Sequence, residues 1–411
     1  MSLNPRLVKE SFALIEPVAD KAAAYFYGRL FVENPQLRAM FPPAMDVQRD
    51  RLFGALTRIV WSVDSPDGMS AFLGQLGRDH RKYGVVAEHY TAIGKALLAT
   101  VRRFAAEIWD AEMEAAWVSA YTAAANLMID AAQADAGVSP AWWPAEVIDH
   151  ERRTPDIAVI TLRLTQEMPY LPGQYVTVQT PRWPRVWRMF SVANAPRPDN
   201  TVRLHVRAIS GGWVSTALVQ HTRIGDTLTL GPPIGTMVPV DSGRDLLCVA
   251  GGTGLAPIKA IVEHVIASGR RPNIHLLHGA RTGRELYDLP DLRRMAETFP
   301  WLRVLPVVSD EPGYDGMRGR VTEAMERFHS WSDHEAYVCG PDAMVAETVR
   351  GLVRGGMPAA NIHRDTAHGE IPGGCPHDTS RAVPDAGPAR GAPGVRPHDA
   401  SRTVPDVDPA R

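Results

Sequence analysis

Trp187-Arg188-Met189-Phe190-Ser191-Val192-Ala193-Asn194-Ala195-Pro196 is the stretch on which the reading of this 411-residue chain turns. Strand side chains alternate, so Arg188 and Phe190 share one face. The arginine can neutralise a pyrophosphate and the ring offers a stacking surface. Ser191 adds a backbone N–H and a hydroxyl for the polar edge of a flat ligand. Residues 188 to 191, with Met189 among them, are by themselves an ordinary strand end. Their meaning comes from what precedes and follows them.

Close to this stretch the hydrophobic period is two. Ile157–Leu164 and Thr201–Arg207 alternate as half-buried strands do, and turn clusters separate them. The pattern predicts an antiparallel β-barrel over residues 145–240. Pro172-Gly173-Gln174-Tyr175 enters one of its strands. Ser210-Gly211-Gly212-Trp213-Val214-Ser215-Thr216 runs into a helix. Paired glycines allow close backbone approach and a helix N-terminus favours a phosphate, which marks Gly211, Gly212, Val214 and Ser215 as candidate contacts.

Downstream, Asp245-Leu246-Leu247-Cys248-Val249-Ala250 is an apolar run suited to a buried parallel strand. Gly251-Gly252-Thr253-Gly254-Leu255-Ala256-Pro257 follows it, and a helix then runs to about Ser268 and closes at Gly269. Strand, glycine loop and helix in that order give a tight turn and close approach to a dinucleotide pyrophosphate, here by Gly252, Thr253, Gly254, Leu255, Ala256 and Pro257. Strand and helix keep alternating, which predicts a doubly wound α/β domain over residues 243–366. Arg281, Thr282 and Arg284 follow its second strand, where basic groups tolerate a ribose 2′-phosphate. No acidic residue that would enforce the unphosphorylated form stands out, so NADH and NADPH both remain open. Cys339-Gly340-Pro341, with Met344 beyond it, closes a later strand.

Upstream, residues 1–137 show apolar spacings of three and four and no strand pattern. Pro5 starts a helix with Asn4 as its cap, Asn34-Pro35 and Phe41-Pro42-Pro43 break helices, and Ser65-Pro66-Asp67-Gly68 makes a turn. Two long helices are expected over about residues 87–108 and 112–135. The stretch 137–144 reads as a linker.

The three parts resemble known families. The Arg-x-Phe-Ser run, the two loops flanking it and the Cys-Gly-Pro turn resemble the ferredoxin–NADP reductase superfamily, with Phe190 where a tyrosine usually stands. Tyr25-Phe26-Tyr27-Gly28, Gln48-Arg49-Asp50-Arg51-Leu52-Phe53, and Asp79-His80 followed by Tyr90 resemble the bacterial haemoglobins. Their joint order is that of the flavohaemoglobins. The resemblance implies haem b held by His80 as iron ligand and a distal polar pair, Tyr27 and Gln48. Phe41 would pack on the porphyrin, Leu52 would gate the iron, and Tyr90 would steady the proximal histidine. It also implies FAD near Tyr175, Arg188, Met189, Phe190 and Ser191, and a nicotinamide beside Cys339, Gly340 and Pro341. The implied activity is a nitric oxide dioxygenase that takes NO, O2 and NAD(P)H. A flavin reductase for other acceptors and a gas-binding globin kept reduced by its own reductase are the alternatives. Four departures stand out: Phe190, Asp79 where a lysine usually precedes the ligand, Ala134 where counting places a proximal glutamate, and Ala367 where a terminal phenylalanine is usual.

Composition fits this reading. Hydrophobic residues make up 45% and charged residues 22%, as in a soluble globular chain of roughly two to four domains. The net charge of −2 argues against nucleic acid as partner. No run of about 18 apolar residues is present, so no membrane span is expected. Cys248, Cys339 and Cys375 are too few and too scattered for a disulfide framework or a zinc site, which suits a reducing cytoplasm; a monomer is expected. Residues 367–411 contain a repeat, Pro376 to Arg390 recurring as Pro397 to Arg411, and are expected to be disordered.

Overall fold

Asn34-Pro35 stops a helix because proline disfavours helical geometry in the residue before it. In the computed structural model the second helix ends at Glu33, immediately before that pair. The structure describes residues 4–64, 66–328 and 331–364, all within one compact unit. The repeat-containing tail, with Ala367 and His368, lies outside the described residues.

Six α-helices build the first third: α1 Pro5–Ile15, α2 Ala19–Glu33, α3 Asp46–Trp61, α4 Pro66–His80, α5 Ala87–Phe104 and α6 Ala111–Ala136. Pro5 stands at the start of α1, but the Asn4 side chain makes no capping bond. Asp110 caps α6, accepting the Met113 N–H at 2.8 Å. The core joins Val8 and Phe12 of α1, Phe26 and Leu30 of α2, Leu97 and Val101 of α5, and Trp117 of α6. At Gly77 the helices α4 and α6 touch so closely that a Cβ would stand 2.2 Å from the Met128 carbonyl oxygen. Only glycine permits that approach, and it lays the C-terminal turn of α4 on α6.

Trp143 opens β1 (Trp143–Arg152), inside the stretch read as linker. Its indole is buried and donates to the Glu167 carbonyl at 3.0 Å, so the supposed linker is already core. The barrel continues with β2 Ile157–Leu164, β3 Tyr175–Gln179, β4 Arg188–Ser191, β5 Thr201–Arg207, helix α7 Trp213–Gln220 and β6 Thr227–Leu230. Its strand order is β4-β3-β6-β1-β2-β5, antiparallel throughout. A bridge from Val192 to Leu204 nearly closes it. Alternate residues such as Val147, Ile160, Leu162, Val176, Val178 and Leu204 fill the interior.

The last third is a parallel sheet of order β10-β9-β8-β7-β11-β12. Its elements are β7 Leu246–Gly251, α8 Leu255–Ala267, β8 Ile274–Ala280, α9 Leu289–Thr298, β9 Leu302–Val308, β10 Met317–Arg318, α10 Val321–Glu326, β11 Glu335–Cys339, α11 Asp342–Arg354 and β12 Ile362–Arg364. Strand β7 is buried on both faces. Leu246, Cys248 and Ala250 join one core with α8, and Leu247 and Val249 join another with Ala324 and Leu352. Helices therefore cover both faces, which is why β7 reads as an unbroken apolar run.

Candidate functional site

In the helical domain the expected residues come from several elements. Tyr27, on α2, is buried, and its ring packs edge-on against Phe41 at 5.5 Å between centroids. Its hydroxyl donates to the Gln48 main-chain carbonyl at 3.3 Å. Burial pushes its pKa up, with neighbouring Gln48, Arg51 and Arg49 acting in the opposite sense, so the phenol stays protonated and able to donate. Leu52, one turn of α3 beyond Gln48, is half-buried against the same core. The structure thus gathers Tyr27, Phe41, Gln48 and Leu52 on one side of the domain's core.

His80 is the last residue of α4. Its Nδ1 lies 2.7 Å from the Leu76 carbonyl. A carbonyl only accepts, so Nδ1 carries the proton and Nε2 keeps its lone pair. Burial lowers the pKa of the ring, favouring the neutral form that a metal requires. Among the described residues Nε2 meets no hydrogen-bond partner, and the Tyr83 ring stands 6.3 Å away; an imidazole so placed at a helix end fits haem iron. Tyr90 is half-buried, its pKa pushed up to about 12 by burial. Among the described residues its hydroxyl meets no hydrogen-bond partner, while its carbonyl accepts from the Tyr121 hydroxyl at 2.5 Å. Ala134, where counting along the chain places the proximal acid, is exposed. The α6 side chains that join Tyr90 in its hydrophobic cluster are Ala124 and Met128.

A 3-10 turn, Arg81–Tyr83, follows His80 directly. Lys82 is buried on it and pairs with Asp79. Its Nζ also donates to Thr177 Oγ1 of β3 at 3.2 Å. The Tyr83 ring meets the buried Trp187 ring edge-on at 6.3 Å, and the His80 ring meets Tyr83 at 6.3 Å. The Lys82 ammonium lies 5.2 Å from the Tyr83 ring and 5.5 Å from the Trp187 ring. Sequence reading missed this seam, because Lys82 and Thr177 are 95 residues apart and neither belongs to a motif.

On the barrel, Tyr175 pairs with Ser191, Val176 with Phe190, Thr177 with Met189 and Val178 with Arg188. Paired residues share a face, so Phe190 and Arg188 lie with the interior valines. Tyr175, Thr177, Met189 and Ser191 form the other face, the one that Lys82 reaches. All four residues of β4 stay half-buried, and Phe190 rests on the barrel core. Near the start of α7 the Ser215 hydroxyl accepts from Ile209 N–H at 3.3 Å and donates to the Gly212 carbonyl at 3.2 Å. That bracing leaves the amides of the first turn, Val214 and Ser215 among them, without intrahelical acceptors and able to receive a phosphate. Half-exposed Arg188 and these amides fit a flavin dinucleotide.

The glycine loop 251–254 is wedged between β8 and the turn after β11. A Cβ on Gly254 would stand 2.5 Å from the Cys339 carbonyl oxygen, and one on Gly251 would stand 2.6 Å from Met344 Sδ. Gly252 has φ +54°. Cys339, Gly340 and Pro341 thus meet the loop that carries Gly252, Thr253 and Gly254, while Leu255, Ala256 and Pro257 are buried at the start of α8. Arg281 sits beyond β8, but Glu285 holds its guanidinium at 2.8 Å and also meets Arg207 at 3.5 Å. Glu311 accepts the Gly283 N–H at 2.7 Å. These two acids went unnoticed in the sequence. The Arg281–Glu285 spacing of four was visible there; the approach of Glu311 from 28 residues away was not.

Comparison with known proteins agrees with this architecture. Residues 24–128 match the Globin family, residues 144–238 the oxidoreductase FAD-binding domain, and residues 248–350 the oxidoreductase NAD-binding domain. The chain is 32% identical over 234 residues to the xylene/toluene monooxygenase electron transfer component of Pseudomonas putida, covering 56% of this chain and 66% of that one. It is 27% identical over 360 residues to a flavohemoprotein of Deinococcus radiodurans, covering 82% and 89% respectively. The crystal structure of a flavohemoglobin from Malassezia yamatoensis, with bound FAD and heme, shares the fold with a TM-score of 0.69 at 19% identity, covering 87% of this chain and 98% of that one. With its helical globin, FAD barrel and nicotinamide domain in this order, the chain belongs to the flavohaemoglobin family.

Proposed function

We propose that this protein is a nitric oxide dioxygenase, catalysing NO + O2 + e− → NO3− with electrons from NADH or NADPH. When bound, the nicotinamide, FAD and haem b supply a two-electron donor, a converter to single electrons, and a one-electron acceptor that takes dioxygen. The observation that carries the reading is the seam beside His80. Lys82 bonds to Thr177, and Tyr83 abuts Trp187, so the turn that follows the candidate iron ligand is packed on the flavin barrel.

The chain's own residues would then act as follows. His80 offers Nε2 to iron while Leu76 fixes its ring. The Tyr27 hydroxyl, bonded to the Gln48 carbonyl at 3.3 Å, would turn and donate to a ligand that gains negative charge. Phe41 and Leu52 keep water from that ligand. Arg188 neutralises the flavin pyrophosphate, and the amides of Val214 and Ser215 cap it. Tyr175 and Ser191 face the ring, and the 252–257 segment receives the nicotinamide dinucleotide next to Cys339. Neither Cys248 nor Cys339 is in a disulfide, which suits a reducing cytoplasm.

A second reading, a reductase serving other acceptors, is supported by the proximal side. His80 is backed by the neutral Leu76 carbonyl, a weaker acceptor than a carboxylate, which makes the ligand less electron-rich. One assay separates the two. With NO and O2 supplied, the dioxygenase forms a pair of nitrate ions for every nicotinamide oxidised, by electron count. Nicotinamide consumption without nitrate would replace it with the reductase.

A further inference from the structure

Beneath the glycine loop lies a histidine that no step above uses. His278, near the end of β8, is fully buried. Its Nε2 lies 3.1 Å from the Gly252 carbonyl oxygen. Because that oxygen only accepts, Nε2 carries the proton. The Leu255 N–H reaches the same oxygen, so both of its lone pairs are engaged. The ring is steadied from the barrel side. Tyr287 stands edge-on to it at 6.0 Å, and the Tyr287 hydroxyl is bonded to His205 of β5 at 2.8 Å. Burial drives the His278 pKa down to about 4, with the Gly252 bond opposing and Arg207 assisting, so the ring is neutral at physiological pH.

A trans peptide points its N–H opposite to its carbonyl. With the Gly252 carbonyl tied inward, the Thr253 N–H must point outward, toward the half-exposed mouth of the loop. At φ +54° the Gly252 backbone has a wide choice of conformations. Without His278 only the shared Leu255 N–H holds this carbonyl oxygen, and the peptide plane can turn that repulsive group toward an incoming phosphate. We propose that His278 is a positioning residue for the nicotinamide dinucleotide: its Nε2–H holds the Gly252 carbonyl so that the Thr253 N–H is aimed at the pyrophosphate before it arrives. This rests on the reading of 251–257 as the dinucleotide loop.

The test is equilibrium binding of NAD+ and NADP+ to the FAD-loaded protein, by calorimetry, for the wild type and for His278→Leu, His278→Gln and His278→Asn. A glutamine amide reaches the place of Nε2 and an asparagine amide does not. The dissociation constant should rise about tenfold in the leucine and asparagine variants, as expected for one lost hydrogen bond to a buried carbonyl. The glutamine variant should stay within about threefold of wild type, with FAD content unchanged in all of them. Steady-state reduction of ferricyanide should show a raised KM for the nucleotide at constant kcat. Wild-type affinity in His278→Leu would overturn the proposal. Should that variant fail to fold, equal affinities in the glutamine and asparagine variants would overturn it instead. A wild-type protein that binds neither nucleotide would remove the loop reading, and His278's role with it.

Discussion

The helical haem region and the dinucleotide region are built on opposite plans. In the first, the candidate residues are scattered over α2, α3, α4, α5 and the turn that holds Phe41, and only tertiary packing joins them. In the second, one strand, one loop and one helix carry six of the ten candidate contacts within residues 246–257, and the turn after β11 closes on them. The scattered site has room to vary: His80, the candidate ligand, is oriented from within its own helix by the Leu76 carbonyl, and the distal residues come from other elements. The glycine loop has none, because a Cβ at Gly254 would meet the Cys339 main chain. A site assembled from side chains can replace its partners one at a time, whereas a site made of main chain is fixed by the absence of a Cβ.

The largest effect that would break this comparison is expected at His80. His80→Ala should abolish stoichiometric haem retention and leave FAD content and nicotinamide-driven ferricyanide reduction as in wild type. Retained haem with a wild-type spectrum would mean another residue holds the iron. Tyr27→Phe comes next. Removing a donor to a charged ligand costs about 1.5–3 kcal/mol, so dioxygen should leave the reduced protein roughly 10- to 150-fold faster. An unchanged off-rate in stopped flow would take Tyr27 out of the distal site.

The smallest expected effect sharpens the other half. His278 is held neutral in the folded protein, with a pKa of about 4 against roughly 6.5 in the unfolded chain. The unfolded state therefore binds more protons between those values. Stability from this group is complete above about pH 6.5 and is lost as pH falls toward about 4. His205, driven the same way by burial, adds to the loss. Melting temperatures at pH 7.5 and pH 5 should fall less in His278→Gln than in the wild type. Equal falls would show that His278 does not titrate differently on unfolding.

The same contrast explains what could be read from the chain. Alternation in Ile157–Leu164, the apolar run before Gly251, and helical spacing in the first third report local backbone states, so the architecture was legible. So was the glycine loop, a contiguous feature. The Lys82–Thr177 contact was not, because it depends on how two domains pack. Nor was the exposed position of Ala134, since counting along α6 ignores which face turns toward α4. Phe190 was read correctly as sharing a face with Arg188, but that this face holds Val176 and Val178 follows from the β3–β4 register, which no single strand reveals. Glu285 was in plain view beside Arg281; its hold on that arginine became meaningful only when Arg207 arrived from the barrel.

The central claim is that the haem and nicotinamide ends form one circuit across the Lys82–Thr177 seam. It is tested most directly by mixing haem- and FAD-loaded protein with NADH, and separately with NADPH, in the absence of oxygen, while following the flavin and haem absorbance bands together. The account predicts that the flavin band bleaches first and that the spectrum of ferrous haem then appears. Flavin bleaching with the haem left ferric would contradict it.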